Sequence, residues 1–496
     1  MGLQITREHF DDDHYRQFGE RLTHSLAALN ELLHRPGFGE GAQSIGAEME
    51  LSIIDEKGQA LPINRAVLNQ CVNEQLQLEL DRFNLEYNLV PVALAGNPFF
   101  NLQKQLEKAL ALLERSANCL GGRIVPIGIL PTLRINELDS SVMSDLPRYR
   151  ALSAGLRRLK RGPFIIHIDG AEPLSVTCQD VTLEGAATSF QVHLRVDPNT
   201  FANVYNAAQL ATSVVLALSV NSPTFLGQRL WDETRVALFK QAIDSRKTDE
   251  HDWQPPARVS FGFGWVRKGA YELFAEAVGL FPPLLPVVGN EDPWDCLAKG
   301  YLPKLEELRL HQGTVWRWNR AIYDANDHGH IRIELRALPS GPTPIDMVAS
   351  AAFLIGLTLG LSRKIETLLP HFPFDYAHRN FYRAAQYGVD ATLLWPTSGV
   401  GGPKEMSVCA LAEELLPIAQ EGLCEAGVNQ QEIDRLFQVI RRRIQTRMTG
   451  ARWQLMILEQ LDKKMDRSAA LSEMLERYLT HSHTGVPVAE WSREVS

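Results

Sequence analysis

Apolar positions recur at helical spacing through residues 14–34 (HYRQFGERLTHSLAALNELLH) and stop before Pro36 and Gly37, which predicts an amino-terminal helix running into a first strand. Helical spacing returns at 101–117 and 149–159, with the strand-like GGRIVPIGILP between them. Residues 207–220 are almost continuously apolar up to NSP, where Pro223 stops a buried helix. Strand-like runs follow at 259–265, 314–323 and 330–338. The longest apolar run, 347–361, falls short of the about 18 residues that a membrane span needs and reads as a helix of the core. Past Pro370, Pro and Gly breaks around WPTSGVGGP give way to helical runs at 407–426 and 430–447. Strands and helices alternate without the short regular repeat of a doubly wound sheet. The pattern predicts an α+β fold, an antiparallel sheet flanked by helices. One domain takes 1–370, with a helical lead-in over 1–40, and 371–496 form a helical region packed on it.

Four strand-like segments carry charged or polar groups two residues apart among apolar neighbours. Residues i and i+2 of a strand share a face, so Glu48 and Glu50 in SIGAEMELSIID project together from a sheet otherwise built to be buried. The same spacing joins Glu86 to Asn88 in FNLEYNLVPV, Gln191 to His193 and Ser189 in SFQVHLRV, and Glu334 to Arg336 in IRIELRAL. Singly, each has a plain structural explanation: a solvent-facing carboxylate, a core histidine with its bonds met, a surface pair. Together they require a shared ion or ligand, because buried polar groups must be satisfied. Carboxylates with an imidazole suit Mg²⁺ or Mn²⁺, and such cations on a sheet face point to phosphoryl chemistry. An arginine beside such a carboxylate can grip phosphate through two parallel bonds, and Arg336 stands there. Trp316, Trp318 and Arg320 alternate in TVWRWNRAIYD, which turns Arg320 toward the same cavity. Gln191, Arg320 and Arg336 are the candidate nucleotide contacts.

Composition narrows the class. The chain has 496 residues, a formal net charge of −9 and 22% charged residues, so it is globular and its overall charge repels nucleic acid. Six scattered cysteines form no CxxC pair or zinc spacing, and a reducing cytoplasm is the expected setting. The amino terminus carries Asp11, Asp12 and Asp13 and no apolar leader core. MGLQIT formally fits an acylation pattern, but no basic patch accompanies it, and no membrane association is expected. Arg441, Arg442 and Arg443 read as a solvated helix face, and His481 and His483 as part of a polar tail. There is no GxxxxGK[ST] loop, no GxGxxG after a strand and no GxSxG elbow, so any nucleotide sits on metals and a sheet face.

GAEMEL, LEYN, PRYR, SFQVHL, NSP, TVWRWNR, IELR and NFYRAAQYGVDA, in this order from about residue 40 to about residue 395, resemble the glutamate–cysteine ligase superfamily, and within it the bacterial carboxylate–amine ligases. TGARWQ near Trp453 is a weaker echo. The resemblance implies a fold similar to the catalytic domain of glutamine synthetase, with the sheet curled into a funnel. It implies an ATP- and Mg²⁺-dependent ligase that phosphorylates a carboxylate, typically the γ-carboxylate of glutamate, and lets an amine, by family default cysteine, displace phosphate. Carried over position by position, Glu48, Glu50, Glu86, His193 and Glu334 would bind metal, with Glu79 or Asp81 adding one more carboxylate. Arg336 would face phosphate, and Arg235 in WDETRVALF would hold the amino-acid substrate. WDETRVALF lacks the longer Gly- and Ser-containing approach usual before that arginine. The partners implied are small-molecule amino acids, and an oligomer is compatible with the sequence. Two other readings share the fold: a non-catalytic nucleotide or amino-acid binding protein, and a kinase that stops at phosphorylation.

Overall fold

The computed structural model describes residues 5–246, 255–397 and 401–495; residues 1–4 of MGLQIT and 398–400 of WPTSGVGGP lie outside them. Six antiparallel strands make the central sheet: β1 (Ser44–Ile54), β2 (Leu76–Leu78), β3 (Asn84–Asn88), β4 (Phe190–Val196), β5 (Asn319–Asp324) and β6 (His330–Leu335). Their order is β5-β6-β4-β1-β3-β2, and two short strands, Val92–Ala93 and Arg123–Val125, also pair with β1. The sheet is curled, as in a half-barrel.

One face is apolar. Ile45, Ala47, Met49 and Leu51 of β1, Val192 and Leu194 of β4, and Ile331 and Ile333 of β6 alternate onto it and are buried. The helix over Pro98–Asn118 and two others, α2 (Phe201–Ala217) and α3 (Pro344–Ser362), cover this side, while α1 (Asp12–Leu33) packs on a smaller helical group nearby. Thr343 caps α3 by accepting from Asp346 N at 3.2 Å, and Pro344 stands in its first turn, where no amide hydrogen is needed. The apolar window of α3 is long enough to cross a membrane, yet 89% of it is buried inside the protein, as a core helix is.

The carboxy-terminal helices α4 (Val408–Glu425), α5 (Gln430–Thr446), α6 (Gly450–Leu461) and α7 (Arg467–His483) extend the same cores. Gly356 and Gly360 are one turn apart on α3, and a Cβ there would lie 2.5 Å from Ala419 O and 2.2 Å from Ile418 O, so only glycine lets α4 approach this closely. Arg443 on α5 does not belong to a solvated face. It is 2% exposed and meets Asp346, 1% exposed, at 2.8 Å. Asp346 also accepts from Val488 N and Thr343 Oγ1, and Arg443 donates to Leu218 O and Ser350 Oγ. A buried pair with most of its other bonds met, Arg443 Nε excepted, is costly to break from one side. Asp346→Ala therefore lowers unfolding free energy in urea by about 3–5 kcal/mol, while the double replacement Arg443→Met/Asp346→Leu loses far less. Equal losses in the two variants would contradict this account of the pair.

Three expectations fail locally. No strand forms over 259–265, where Ser260 makes only an isolated bridge to Arg317, because FGFGW places glycines at 262 and 264 and Gly262 has φ +115°. The 314–323 run is a strand only from Asn319, so Trp316 and Trp318 are not on a ladder with Arg320. The segment carrying His481 and His483 is the last turn of α7, and the His481 ring packs 5.2 Å from Trp491 and 5.6 Å from Trp453.

Candidate functional site

Register places the polar groups. Directly opposed residues of an antiparallel pair share a face. Glu334 stands opposite both Arg320 and His193, Gln191 opposite Glu48, Glu48 opposite Asn88, and Glu50 opposite Glu86, which faces Gln77. One continuous polar face thus crosses all six strands, and it unites the four i, i+2 pairs read in the sequence, Glu48/Glu50, Glu86/Asn88, Gln191/His193 and Glu334/Arg336, with Arg320 and Gln77.

The carboxylates gather in two groups whose ligand atoms lie within 4.8 Å of one another: Glu48, His193 and Glu334, and Glu50, Glu79 and Glu86. The first is electrically balanced. Burial acts to raise Glu48, but His193, whose Nε2 lies 3.1 Å away, outweighs it and holds the carboxyl below its ordinary value. Burial likewise acts to raise Glu334, and Arg320 and Arg336 overcome it, holding this carboxyl well below the usual range. The second group has no such balance. Burial, then the Glu79 charge, push Glu50 up to about 7, and burial with Glu48 and Glu79 pushes Glu86 well above the carboxylate range. Glu79 is raised by burial too.

Three arginines divide the work. Arg320 donates Nε and Nη2 to the two oxygens of Glu334 at 2.7 and 3.1 Å and Nη1 to Gln312 O, so it clamps a carboxylate from below. Arg235, expected to hold a substrate, is 3% exposed and uses its fork on Glu233, Arg336 O and Ala337 O. Its donors are occupied inside the protein. Arg336 differs: among the described residues only its Nη1 bonds to protein, donating to Gln191 and to Glu334 Oε2, which leaves Nε and Nη2 for a ligand. Gln191 in turn donates to Glu50 Oε1 at 2.8 Å, so Arg336 and Gln191 join the two groups.

The Glu50, Glu79 and Glu86 group fits a divalent cation by its donor chemistry: three half-buried, mutually repelling carboxylates whose oxygens lie within 4.8 Å of one another, opposed by the charges of Arg336, Arg235 and Arg148. His193 fits by a buried Nε2 that makes no hydrogen bond although Glu48 is near. Its Nδ1 accepts from Arg332 Nε at 3.1 Å, so a cation on Nε2 requires Arg332 to let go and the ring hydrogen to move to Nδ1. A cation entering the Glu50, Glu79 and Glu86 group must displace protons from raised carboxyls. Mn²⁺ binding therefore strengthens as pH rises toward 7 and releases protons at pH 6, seen as different calorimetric heats in two buffers of unlike ionisation enthalpy. Identical heats would contradict it. Without cation the sign for stability is opposite: Glu50 favours the folded state below its ordinary 4.5, and that contribution is lost as pH rises to about 7.

Sequence reasoning left some of this face out. Of Glu79 and Asp81, only Glu79 reaches the group; Asp81 lies against Gly185, both oxygens buried without a hydrogen-bond partner, and is pushed up by burial, Glu184 and Asp180. Arg148 of PRYR supplies the strongest opposing charge to Glu79. Glu184, in the helical turn Thr182–Gly185, is raised to about 8 by burial, Glu79 and Glu50, and has no strand pattern to betray it.

A family model described as glutamate-cysteine ligase family 2 (GCS2) matches residues 44–473. Comparison with curated proteins finds no match. Among solved structures, the chain is similar to a glutamate–cysteine ligase from Francisella tularensis in complex with AMP: 11% identity, 92% of this chain and 91% of that chain, TM-score 0.55. It is also similar to a bifunctional glutathione synthetase from Pasteurella multocida: 10% identity, 92% of this chain and 53% of that chain, TM-score 0.48. The first likeness shows the fold.

Proposed function

The chain belongs to the glutamate–cysteine ligase family 2 and is an ATP-dependent carbon–nitrogen ligase, and from that premise we propose that it joins the γ-carboxylate of glutamate to an amine, with cysteine the first candidate. The observation that carries this reading is Arg336, with free donors, set between two carboxylate groups on one sheet face. A carboxylate becomes an acyl donor only once it is phosphorylated. In the first half, a substrate carboxylate oxygen attacks the γ-phosphorus of ATP and the bond to ADP breaks. In the second, the amine nitrogen attacks the acyl carbon, phosphate leaves with the C–O electrons, and the nitrogen gives up a proton. Bound Mg²⁺ would supply charge neutralisation for the phosphate oxygens, held by Glu48, His193 and Glu334 on one side and Glu50, Glu79 and Glu86 on the other.

The protein's own part is positioning. Arg336 holds phosphate charge in line, Gln191 ties Arg336 to Glu50, Arg320 keeps Glu334 ionised and fixed, and burial limits water, which would otherwise take the acyl group. Six free cysteines agree with a cytoplasmic setting. The test is phosphate release from ATP and Mg²⁺ with glutamate and a panel of amines, cysteine first, with mass analysis of the product. Release that needs both amino acids and gives the dipeptide mass is the expected result. Release with glutamate alone, without amide, would leave a kinase; no release with any pair would remove glutamate as the acid.

A further inference from the structure

The segment 336–340 runs from Arg336, beside Glu334, to Ser340, whose hydroxyl donates to Glu50 O at 2.6 Å. It is therefore the strut between the two carboxylate groups, and side chains behind the sheet grip it at three carbonyls, Arg336 O, Ala337 O and Ser340 O. Arg235 Nη2 donates to Ala337 O, and Asn221 Nδ2 to Ser340 O at 2.7 Å. Both grips meet on Glu233, fully buried, which accepts from Asn221 N at 2.8 Å and from Arg235 Nε at 2.9 Å.

Asn221 is itself held by the carboxy-terminal helices. Gln454 of α6 donates to Asn221 Oδ1 at 2.9 Å, and Tyr478 Oη of α7 accepts from Asn221 Nδ2 at 2.9 Å while donating to Pro126 O at 2.9 Å. No slack remains: a Cβ at Gly450 would lie 1.9 Å from Asn221 Oδ1, and one at Gly341 2.6 Å from Tyr478 Oη. Short polar motifs far apart in the chain, NSP and TGARWQ, thus converge behind the sheet on the strut.

We infer that Asn221, braced by Gln454 and Tyr478, is a positioning residue that sets the spacing between the Glu334–Arg336 and Glu50 sides of the cation-binding face. The inference rests on the metal reading above. It gives the carboxy-terminal helices a function besides stability: they hold the far wall of the site in register.

The test is Mn²⁺ binding, followed by electron paramagnetic resonance on the folded full-length protein, alongside thermal melting. Tyr478→Phe removes one hydroxyl and keeps the ring, and Gln454→Met removes the second brace. Both should weaken Mn²⁺ binding about tenfold, the scale of changes around metal ligands. Trp453→Phe is the control, since Trp453 packs equally deep between α6 and α7 and its indole bonds only to Ser492 O. It should lower the melting temperature and leave Mn²⁺ affinity in place. Wild-type affinity in folded Tyr478→Phe and Gln454→Met overturns the inference and spares the metal reading. No Mn²⁺ binding by the wild-type protein overturns both.

Discussion

Glu50→Gln lowers ATP-dependent phosphate release by on the order of a thousandfold, while the variant folds and unfolds at a higher urea concentration than the wild type in cation-free buffer. The two effects have one cause. Burial first, and then the neighbouring Glu79 charge, push Glu50 up to about 7. The amide keeps the shape but only one acceptor: Ser189 N and Gln191 Nε2 bond to different oxygens of Glu50, so one of these two bonds is kept and the other lost, a cost smaller than the relief of the buried charge. It removes one of three charges that a cation needs and one of three charges that repel one another. Active sites commonly hold stability in reserve this way. Activity within tenfold of the wild type would sink the role assigned to this group, and a lower unfolding midpoint would sink the repulsion.

The face was legible in the sequence only strand by strand. Glu48 with Glu50, Gln191 with His193, and Glu334 with Arg336 are visible because the two-residue period of a strand is local. Which strand lies beside which is not local, and neither is the register that sets Glu50 against Glu86 or Glu334 against His193. Glu79 shows how little a short element reveals: it was reached only by resemblance and paired with Asp81 as an alternative, because β2 has only three residues and Glu79 follows it outside any regular element. Arg443 was misread for a related reason. Three arginines in a row look solvated, but each step turns about 100° round the helix, and the third points inward to Asp346. Arg235 carried a substrate role by resemblance, and the structure instead encloses it between Glu233 and two carbonyls. FGFGW mimicked a strand because glycines fill every second place.

Arg336→Lys keeps the positive charge and lowers the rate of phosphate release by about a hundredfold or more, with little change in Mn²⁺ affinity. The split follows from how the guanidinium is used. One nitrogen, Nη1, serves the protein by bonding Gln191 and Glu334, and a lysine amine reaching the same place can satisfy those partners. The remaining Nε and Nη2 donors, set in one plane with Nη1, are what a tetrahedral phosphate needs when its charge spreads over several oxygens. Lysine offers a point charge without that fork. The cations, by contrast, are held by carboxylates whose charge the substitution leaves alone. Arg320→Lys should behave differently, because Arg320 holds Glu334 itself through two parallel bonds and its loss loosens a ligand. Single-turnover phosphate release with Mn²⁺ titration separates the two: a rate defect at full cation occupancy for Arg336→Lys, and a defect that excess cation partly repairs for Arg320→Lys. If excess cation repaired Arg336→Lys as well, the arginine would be serving the metal groups and not the phosphate.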